Sequence, residues 1–389
     1  MNAYVTGLSA RENISVSRAE SFILNHRFDR PTLVIDTEAV ARQYAALAQG
    51  LGKARIHYAV KANPAAEILQ TLVALGSNFD AASRPEIEMC LNAGADASRV
   101  SFGNTVKRPS DIAWAHEIGI THFAADSEEE LYKLAQHAPG AEVYIRLIVG
   151  SRHADWPLSR KFGCAFDKTP SLFRLAIELG LKPVGLSFHV GSQTRRAEMW
   201  SETLDQVAGV WHALKDEGFE LSLLNIGGGF PAFYGQELDA PQNYASDVMR
   251  QIHDKFGDIP SIMAEPGRGL VAEAGAIAAE VLLVSRKSDS ELHRWVYLDI
   301  GKFSGLAETM DEAIRYQFIT DRDHEPTGAC ILAGPSCDSA DVLYEKQPVQ
   351  LPLGLQSGDR IVIRNCGAYT STYSSVGFNG FPPLDVIAI

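Results

Sequence analysis

The sequence predicts an α/β barrel followed by a mostly β domain, because two hydrophobic patterns succeed each other along the chain. From about Thr32, short apolar runs alternate with longer amphipathic stretches, and eight such runs occur before about Ala276. Eight buried strands that alternate with helices are typical of a (β/α)₈ barrel of the TIM type. After Ala276, strand-like runs follow one another with Pro and Gly turns between them, which is typical of an all-β domain.

The strands of the predicted barrel are short runs rich in apolar and β-branched residues. They are Ile56–Val60, Asn78–Ala82, Val100–Gly103, His122–Ala125, Val143–Val149, Val184–His189, Leu223–Ile226 and Ser261–Ala264. Amphipathic stretches predict the helices, at Pro64–Leu75, Arg84–Ala93, Pro109–Ile118, Glu128–Ala138, Ser171–Leu179, Arg195–Glu217 and Ala245–Phe256. An open, doubly wound sheet is the alternative, but a Gly-rich turn normally follows its first strand. Here the first run is followed by Lys61-Ala62-Asn63-Pro64, which does not fit that alternative.

The second domain is predicted to consist of strands without regular helices between them. These strands are Glu280–Ser285, Trp295–Asp299, Ala329–Leu332, Arg360–Arg364 and Leu384–Ile389. Turns are predicted at Pro348, Pro352-Leu353-Gly354 and Gly358-Asp359, and one helix at Gly305–Gln317. We therefore predict a barrel over residues 37–275 and a β domain of sandwich or barrel type over 276–389, completed by the N-terminal segment 1–36.

Composition and charge exclude several classes of protein. Of the 389 residues, 46% are hydrophobic and 21% are charged, which excludes a disordered or fibrous chain. A net charge of −13 argues against nucleic acid or an anionic membrane as a partner. The five cysteines include no CxxC pair, so neither a disulfide framework nor a metal site is predicted, and a cytoplasmic location fits best. No run approaches ~20 apolar residues, so no membrane span is predicted.

Reactive side chains are expected at the C-terminal ends of the barrel strands, where such barrels carry their chemistry. Lys61 follows the first run directly. A lysine at this position commonly extends its ammonium group to water. The alternative is a Schiff-base lysine, whose pKa desolvation at the barrel mouth would lower.

Three further strand ends carry polar residues. Asp80 closes the second run and either caps the helix near Pro85 or orients a ligand. Arg146 lies within an apolar run, so we expect an anionic partner or an internal ion pair. His189 ends the sixth run beside a Gly-Ser turn, where ring contact or proton transfer competes with a role as a satisfied core residue.

The last two barrel runs are followed by a predicted phosphate site. Gly227-Gly228-Gly229 follows the seventh run, and the glycines let backbone N–H groups converge on an anion. Glu265-Pro266-Gly267-Arg268-Gly269 follows the eighth, where Arg268 can hold phosphate. Barrels commonly bind phosphate in these two loops.

Lysine, phosphate site and acid together match the needs of pyridoxal phosphate. This cofactor requires a Schiff-base lysine, a phosphate site and a carboxylate at its pyridine nitrogen. An aldolase on a TIM-type barrel would also explain Lys61 and the phosphate site. It would leave unexplained the β-domain segments Gly334–Ser339 and Cys366–Tyr369.

Six motifs resemble those of the fold type III pyridoxal-phosphate-dependent decarboxylases, the group that contains ornithine, lysine and diaminopimelate decarboxylases. They follow one another along nearly the whole chain: Tyr58-Ala59-Val60-Lys61-Ala62-Asn63, His189-Val190-Gly191-Ser192, Gly227-Gly228-Gly229-Phe230-Pro231, Glu265-Pro266-Gly267-Arg268, Cys337-Asp338-Ser339-Ala340-Asp341 and Cys366-Gly367-Ala368-Tyr369. In this order and spacing the motifs are specific as a set.

The resemblance implies a role for each of these residues. Lys61 would form the Schiff base with the cofactor, Glu265 would pair with its pyridine nitrogen, and His189 would stack on its ring. The phosphate would be held by Ser192, Gly229, Arg268 and Tyr369. Further contacts to the cofactor would come from Asp80, Arg146, Gly228 and Gly267. In a homodimer with shared active sites, Cys337 would return a proton to the substrate of the other subunit. Asp338 would bind that substrate's distal ammonium group.

The resemblance also bears on the substrate. Diaminopimelate decarboxylases typically carry Glu at the position of Asp338, whereas Asp is the pattern of ornithine and lysine/ornithine decarboxylases. We therefore expect L-ornithine to be decarboxylated to putrescine in polyamine biosynthesis, with L-lysine to cadaverine as a second reaction. Asp311 and Glu312, in a segment similar to the group's specificity helix, are expected as further acidic contacts or as a solvated helix face.

Three alternatives remain open at this level. A diaminopimelate decarboxylase of lysine biosynthesis would share the same fold. A non-decarboxylating carrier with a pyridoxal phosphate barrel would lack the β domain that holds Cys337 and Asp338. An enzyme like alanine racemase usually presents an Arg, not an acid such as Glu265, at the pyridine nitrogen.

Overall fold

The computed structural model of the protein describes residues 16–150, 154–155 and 161–389. Strand β1 (Thr32–Ile35) precedes the barrel. The barrel strands are β2 (Arg55–Ala59), β3 (Asn78–Ala81), β4 (Val100–Phe102), β5 (His122–Ala125), β6 (Glu142–Arg146), β7 (Lys182–Ser187), β8 (Leu223–Asn225) and β9 (Ser261–Ala264). They are parallel and form a closed barrel in chain order, which confirms the predicted fold. Their C-terminal ends therefore share one rim.

The helices are α1 (Arg18–Asn25), α2 (Thr37–Leu51), α3 (Ala66–Ala74), α4 (Arg84–Asn92), α5 (Pro109–Glu117), α6 (Glu128–His137), α7 (Thr169–Glu178), α8 (Ser201–Asp216), α9 (Pro241–Phe256) and the short α10 (Arg268–Val271). The helices from α2 onward alternate with the barrel strands, whereas α1 precedes β1. Several begin at a capping side chain: Asp36, Ser83 and Ser127 each accept a hydrogen bond from a first-turn N–H group. None of the helices in the described ranges combines the length and apolar content that crossing a bilayer requires.

The remaining strands form one curled sheet, the β domain. They are β10 (Gly275–Ser285), β11 (Arg294–Leu298), β12 (Phe318–Thr320), β13 (Thr327–Ala333), β14 (Val342–Pro352), β15 (Arg360–Ile363) and β16 (Asp385–Ala388). The order across the sheet is β12-β15-β10-β11-β13-β14. The N-terminal β1 belongs to this sheet as well, because it runs antiparallel to β10 and parallel to β16.

Strand β14 differs from the sequence prediction, which placed turns at Pro348 and Pro352. Pro348 lies inside this eleven-residue strand, and Pro352 is its last residue. Among the described strands β14 pairs with β13 alone, so it is an edge strand, where proline is tolerated because no second neighbour needs its N–H. Between the pairs Tyr344–Leu332 and Val349–Cys330 the register shifts, and residues 345–348 bulge out of the sheet.

The predicted helix Gly305–Gln317 is also different in the structure. Only Ala307–Glu312 is helical, as a 3₁₀ segment, and it is interrupted at Met310 and Asp311. Asp311 has a φ of +52° and Glu312 a φ of +60°, in the left-handed region that breaks a regular helix. The apolar and acidic pattern therefore marks a kinked connection that passes between the β domain and the barrel rim.

Candidate active site

Lys61 lies in a 3₁₀ turn, Val60–Ala62, that continues from β2 at the barrel rim. Its side chain is 49% exposed, and its Nζ lies 3.8 Å from Oδ2 of the buried Asp80. The sequence predicted a lowered pKa for Lys61. Partial desolvation by the surrounding protein does lower this pKa, but the acidic groups Asp80, Tyr369 and Glu265 outweigh it, so that the pKa is raised. The amine is therefore held in its charged form by the acids around it.

Asp80, on β3, is the nearest of these acids. It does not cap helix α4, since that role belongs to Ser83. Its Oδ1 is buried without a hydrogen-bond partner among the described residues, and burial raises its pKa while Lys61 and Arg146 oppose the rise. A Cβ atom at Gly103 would lie 1.8 Å from Oδ1. The carboxylate can occupy its place only because residue 103 is glycine.

Glu265 follows β9 directly. Burial raises its pKa to about 7, and the neighbouring Asp80 contributes to the rise. Its Oε1 accepts a hydrogen bond from Nδ2 of Asn225, the last residue of β8, and this bond acts in the opposite direction. The sequence analysis missed Asn225, although its position two residues before the Gly227-Gly228-Gly229 turn could have indicated it. The pKa of the Glu265 carboxyl group therefore lies close to neutral pH.

His189 lies beside the glycine turn after β7. Its Nδ1 accepts a hydrogen bond of 3.0 Å from the Gly191 N–H, so this nitrogen carries no proton. Its pKa is lowered to about 3, mainly by burial and in addition by the charges of Arg146 and Lys61. A Cβ atom at Gly228 would lie 2.9 Å from His189 Nε2. The ring is thus neutral and lies closely against the Gly227-Gly228-Gly229 turn that follows β8.

Arg268 opens α10 and is buried at the predicted phosphate site. Its Nε lies 3.2 Å from Ser192 Oγ, and its Nη1 lies 3.1 Å from the Tyr234 hydroxyl. Both Nη1 and Nη2 donate to the Glu308 carboxylate, at 2.7 and 2.6 Å. The sequence analysis missed Glu308, which lies in the kinked 3₁₀ segment of the β domain.

Tyr369 reaches the same site from the β domain. It has a φ of +54°, and its N–H donates to the Ala62 carbonyl oxygen at 2.8 Å. Its hydroxyl lies 3.0 Å from the position of a Cβ atom at Gly267. A left-handed backbone at a non-glycine residue costs energy and is found mainly at functional sites. The second domain therefore places a hydroxyl group beside the turn that holds Lys61.

Arg146 ends β6 and lies among these groups. Its guanidinium carbon is 5.3 Å from the centre of the Phe162 ring. Its charge acts on the pKa values of Asp80, His189 and Glu265. Arg146 thus lies close enough to favour anionic groups at the centre of the site.

Cys337 and Asp338 lie elsewhere, on the exposed surface of the β domain. The backbone N–H of Cys337 lies 3.2 Å from Oδ1 of Asn379, and its Sγ lies 3.5 Å from the same atom. The Asp338 carboxylate accepts a hydrogen bond from the N–H of Ala340. These contacts stay within the β domain of the same chain.

The two predicted acidic contacts, Asp311 and Glu312, differ in their surroundings. The Asp311 side chain is 87% exposed, with Lys346 at 3.6 Å. The Glu312 carboxylate accepts hydrogen bonds from three N–H groups of the β14 bulge and pairs with Arg315 at 2.8 Å. Both of its oxygens are therefore engaged, and the geometry gives no support to a role for Glu312 in substrate binding.

The groups on the rim fit pyridoxal phosphate. They comprise the Lys61 amine, the Glu265 carboxyl group with a pKa near neutral pH, and the uncharged His189 imidazole. Glycines, hydroxyl groups and Arg268 form a cradle beside them. The buried Oδ1 of Asp80, which has no hydrogen-bond partner within the described part of the chain, is a further sign that this site takes a polar ligand.

Comparisons with known proteins agree with this fit. A family model described as the pyridoxal binding domain of pyridoxal-dependent decarboxylases matches residues 37–272. A lysine/ornithine decarboxylase of Selenomonas ruminantium is 30% identical over 372 residues, which cover 95% of this chain and 92% of that protein. An ornithine decarboxylase of Schizosaccharomyces pombe is 32% identical over 369 residues, covering 91% and 82%. The crystal structure of a lysine/ornithine decarboxylase from Vibrio vulnificus, complexed with putrescine, is 30% identical with a TM-score of 0.84, covering 96% of this chain and 99% of that one.

These matches span the barrel and the β domain together. They leave no support for an aldolase, for a racemase-like enzyme or for a carrier built on a single barrel. The chain belongs to the fold type III pyridoxal-dependent decarboxylases, and it is a carboxy-lyase that uses pyridoxal phosphate.

Proposed function

We propose that the protein decarboxylates L-ornithine to putrescine and carbon dioxide, with L-lysine to cadaverine as a second reaction. The observation that carries the choice of substrate is Asp338, an exposed carboxylate next to Cys337. It suits the single distal ammonium group of ornithine or lysine. Meso-diaminopimelate would bring a second carboxylate against it, and like charges repel. The relatives named for ornithine and for lysine/ornithine support the same choice.

The residues on the rim have separate roles toward the cofactor. Lys61 would hold its aldehyde carbon and His189 would cover its ring face. Its phosphate would be held by Ser192, Gly229, Arg268 and Tyr369, with Gly228 and Gly267 as further contacts to the cofactor. When bound, pyridoxal phosphate supplies an electron sink for the bond between Cα and the carboxylate. The neutral imidazole suits a contact with an aromatic ring, because it adds no charge to the site.

Glu265 would hold a proton at the ring nitrogen. Burial raises its pKa to about 7, and Asp80 adds to the rise, whereas Asn225, Lys61 and Arg146 favour the ionised form. A carboxyl group whose pKa lies near neutral pH can share a proton with the ring nitrogen and keep that proton from solvent water. Asp80 and Arg146 set the field in which this sharing takes place.

Cys337 and Asp338 would act in the other subunit of a homodimer. Cys337 would deliver a proton to the substrate Cα after carbon dioxide leaves, and Asp338 would bind the distal ammonium group. The support is their exposure on the β domain, where Cys337 contacts Asn379. Exposed apolar side chains surround this asparagine in sequence: Val376, Phe378 and Phe381. An apolar surface of this kind is typical of an interface between subunits.

Two predictions from the sequence stay proposals. The division into a barrel over 37–275 and a β domain over 276–389 is supported by the strand pairing, with β10 starting at Gly275. Of the segment 1–36, residues 1–15 lie outside the described residues. The cytoplasmic location rests on the cysteines, which are all present as free thiols.

The substitution Asp338→Ala tests the choice of substrate. We expect it to raise KM for ornithine and for lysine by about tenfold or more, because a charge-assisted contact with the ammonium group is lost. Glu217→Ala, which removes an exposed carboxylate paired with Arg174 away from the barrel rim, is the comparison. An unchanged KM for both substrates in Asp338→Ala would overturn the role of Asp338.

A further inference from the structure

Asn225 is buried at the end of β8, where it bridges two parts of the active site. Its Nδ2 donates to Oε1 of Glu265, and its Oδ1 accepts from the Gly227 N–H at 2.9 Å. A backbone N–H only donates, so the atom facing Gly227 must be the amide oxygen. The orientation of the amide is thereby fixed, and its NH₂ group must face Glu265.

Gly227 also holds the backbone of Glu265. The Glu265 N–H donates to the Gly227 carbonyl oxygen at 2.8 Å. Gly227 has a φ of +66°, and a Cβ atom there would lie 2.2 Å from the Phe188 carbonyl oxygen. The same glycine therefore holds both the amide of Asn225 and the backbone of Glu265. This arrangement fixes the carboxylate relative to the turn and not merely to its own strand.

We propose that Asn225 is a positioning residue, which holds the Glu265 carboxylate in place and keeps it in the ionised form toward the cofactor's ring nitrogen. The proposal rests on the role proposed for Glu265. Burial and the nearby Asp80 favour the neutral form of Glu265, and the amide NH₂ opposes both by donating to the carboxylate oxygen. Without that bond, the shared proton would move from the ring nitrogen toward Glu265, and the electron sink would weaken.

Asn104 provides a matched control on the same rim. It follows β4, and its Oδ1 accepts from the Val106 N–H at 3.1 Å, the same turn that Asn225 makes with Gly227. Its Nδ2, however, donates to the backbone carbonyl of Ala82 at 3.2 Å. The two asparagines share the turn, and only Asn225 directs its amide at a carboxylate.

The experiment compares Asn225→Ser with Asn104→Ser in the holoenzyme. Serine can keep the turn by accepting from the N–H two residues on, but it is too short to reach Glu265. Pyridoxal phosphate labelled at its ring nitrogen reports by NMR, without substrate, where the proton lies. We expect Asn225→Ser to shift this signal toward that of the unprotonated ring, with Asn104→Ser matching the wild type.

The kinetic readout separates positioning from binding. We expect kcat of Asn225→Ser with ornithine to fall about tenfold, the scale of one hydrogen bond to a charged group, with KM little changed. An unchanged nitrogen signal together with an unchanged kcat would overturn the proposal. If the wild type proves inactive on ornithine, the NMR comparison still decides the role of Asn225. Asn225→Thr gives the same comparison if the serine variant does not fold.

Discussion

The guanidinium of Arg268 and the carboxylate of Glu308 form a buried, two-point ion pair, with N–O distances of 2.7 and 2.6 Å. Arg268 belongs to the barrel and Glu308 to the β domain. Ser192 and Tyr234 accept the remaining N–H groups of the guanidinium. The pair thus joins the two domains directly at the proposed phosphate site. It also neutralises the arginine, so that backbone N–H groups and hydroxyls must contribute much of the attraction for phosphate.

Glu308→Ala should destabilise the protein strongly. Removal of one partner of a buried pair leaves an uncompensated charge and costs roughly 3–5 kcal/mol. We expect a lower urea midpoint for the apoprotein. The control is Glu217→Ala, which breaks the exposed pair with Arg174 at a similar distance of 2.7 Å. Exposed pairs contribute about 0–1 kcal/mol, so equal losses in the two variants would contradict this account.

Gly103→Ala should displace Asp80 and reduce activity. The added Cβ would lie 1.8 Å from Asp80 Oδ1, a distance that forces the carboxylate away from Lys61. We expect kcat to fall by at least about tenfold, because the displacement of a charged group in an active site commonly costs that much or more. Gly209→Ala is the control, because in helix α8 the new Cβ would meet no described atom within 4 Å apart from the backbone of its own helix and its chain neighbours. It should leave kcat unchanged and stabilise the protein by roughly 0.5–1 kcal/mol. Full activity of Gly103→Ala would contradict a role for Asp80 in the active site.

His57 should make stability depend on pH. Burial lowers its pKa to about 3, with His122 and Arg55 adding to the effect. A histidine in the unfolded chain has a pKa of about 6.5, so between that pH and about 3 the unfolded state binds the proton and the folded state does not. Stability is therefore lost as the pH falls from about 6.5 toward 3. The advantage of the wild type over His57→Gln should shrink between about pH 7 and pH 5 in urea unfolding. His253→Gln, at an exposed histidine, is the control, and parallel pH curves for wild type and His57→Gln would contradict the assignment.

A shared active site predicts complementation between two inactive variants. Lys61→Ala and Cys337→Ala should each be nearly inactive, because each removes a group that every site needs. A dimer of one subunit of each kind contains one intact site if the cysteine acts across the interface. Random mixing should then restore about a quarter of the wild-type activity, measured after the subunits have exchanged. No recovery in a mixture shown to contain mixed dimers would mean that Cys337 acts within its own chain or not at all.

The sequence predicts the barrel well because strand runs and helical stretches differ in hydrophobic period. It fails at β14, because proline is read as a turn signal, whereas an edge strand tolerates it at Pro348. The same bulge also engages the Glu312 carboxylate. The acidic pattern of its segment suggests a substrate contact, but both Glu312 oxygens accept hydrogen bonds from N–H groups that the bulge leaves without ladder partners.

Asn225 and Glu308 are missed for a different reason. Each contacts a predicted site residue 40 positions away in sequence, and the barrel or the β domain must fold before the two meet. Neither belongs to a run of residues with a chemical signature of its own. Strand-end residues such as Lys61 and Glu265, by contrast, stand out because a charge follows an apolar run.

The most direct test of the account is the release of carbon dioxide by the purified holoenzyme. Ornithine, lysine, arginine and meso-diaminopimelate are compared side by side with pyridoxal phosphate present. We expect ornithine to give the highest kcat/KM and lysine a lower but measurable value, because one methylene is worth about 1–3 kcal/mol of discrimination. Activity on meso-diaminopimelate alone would contradict the assignment of Asp338 to a simple ammonium group, and no release from any of the four would contradict the proposed function.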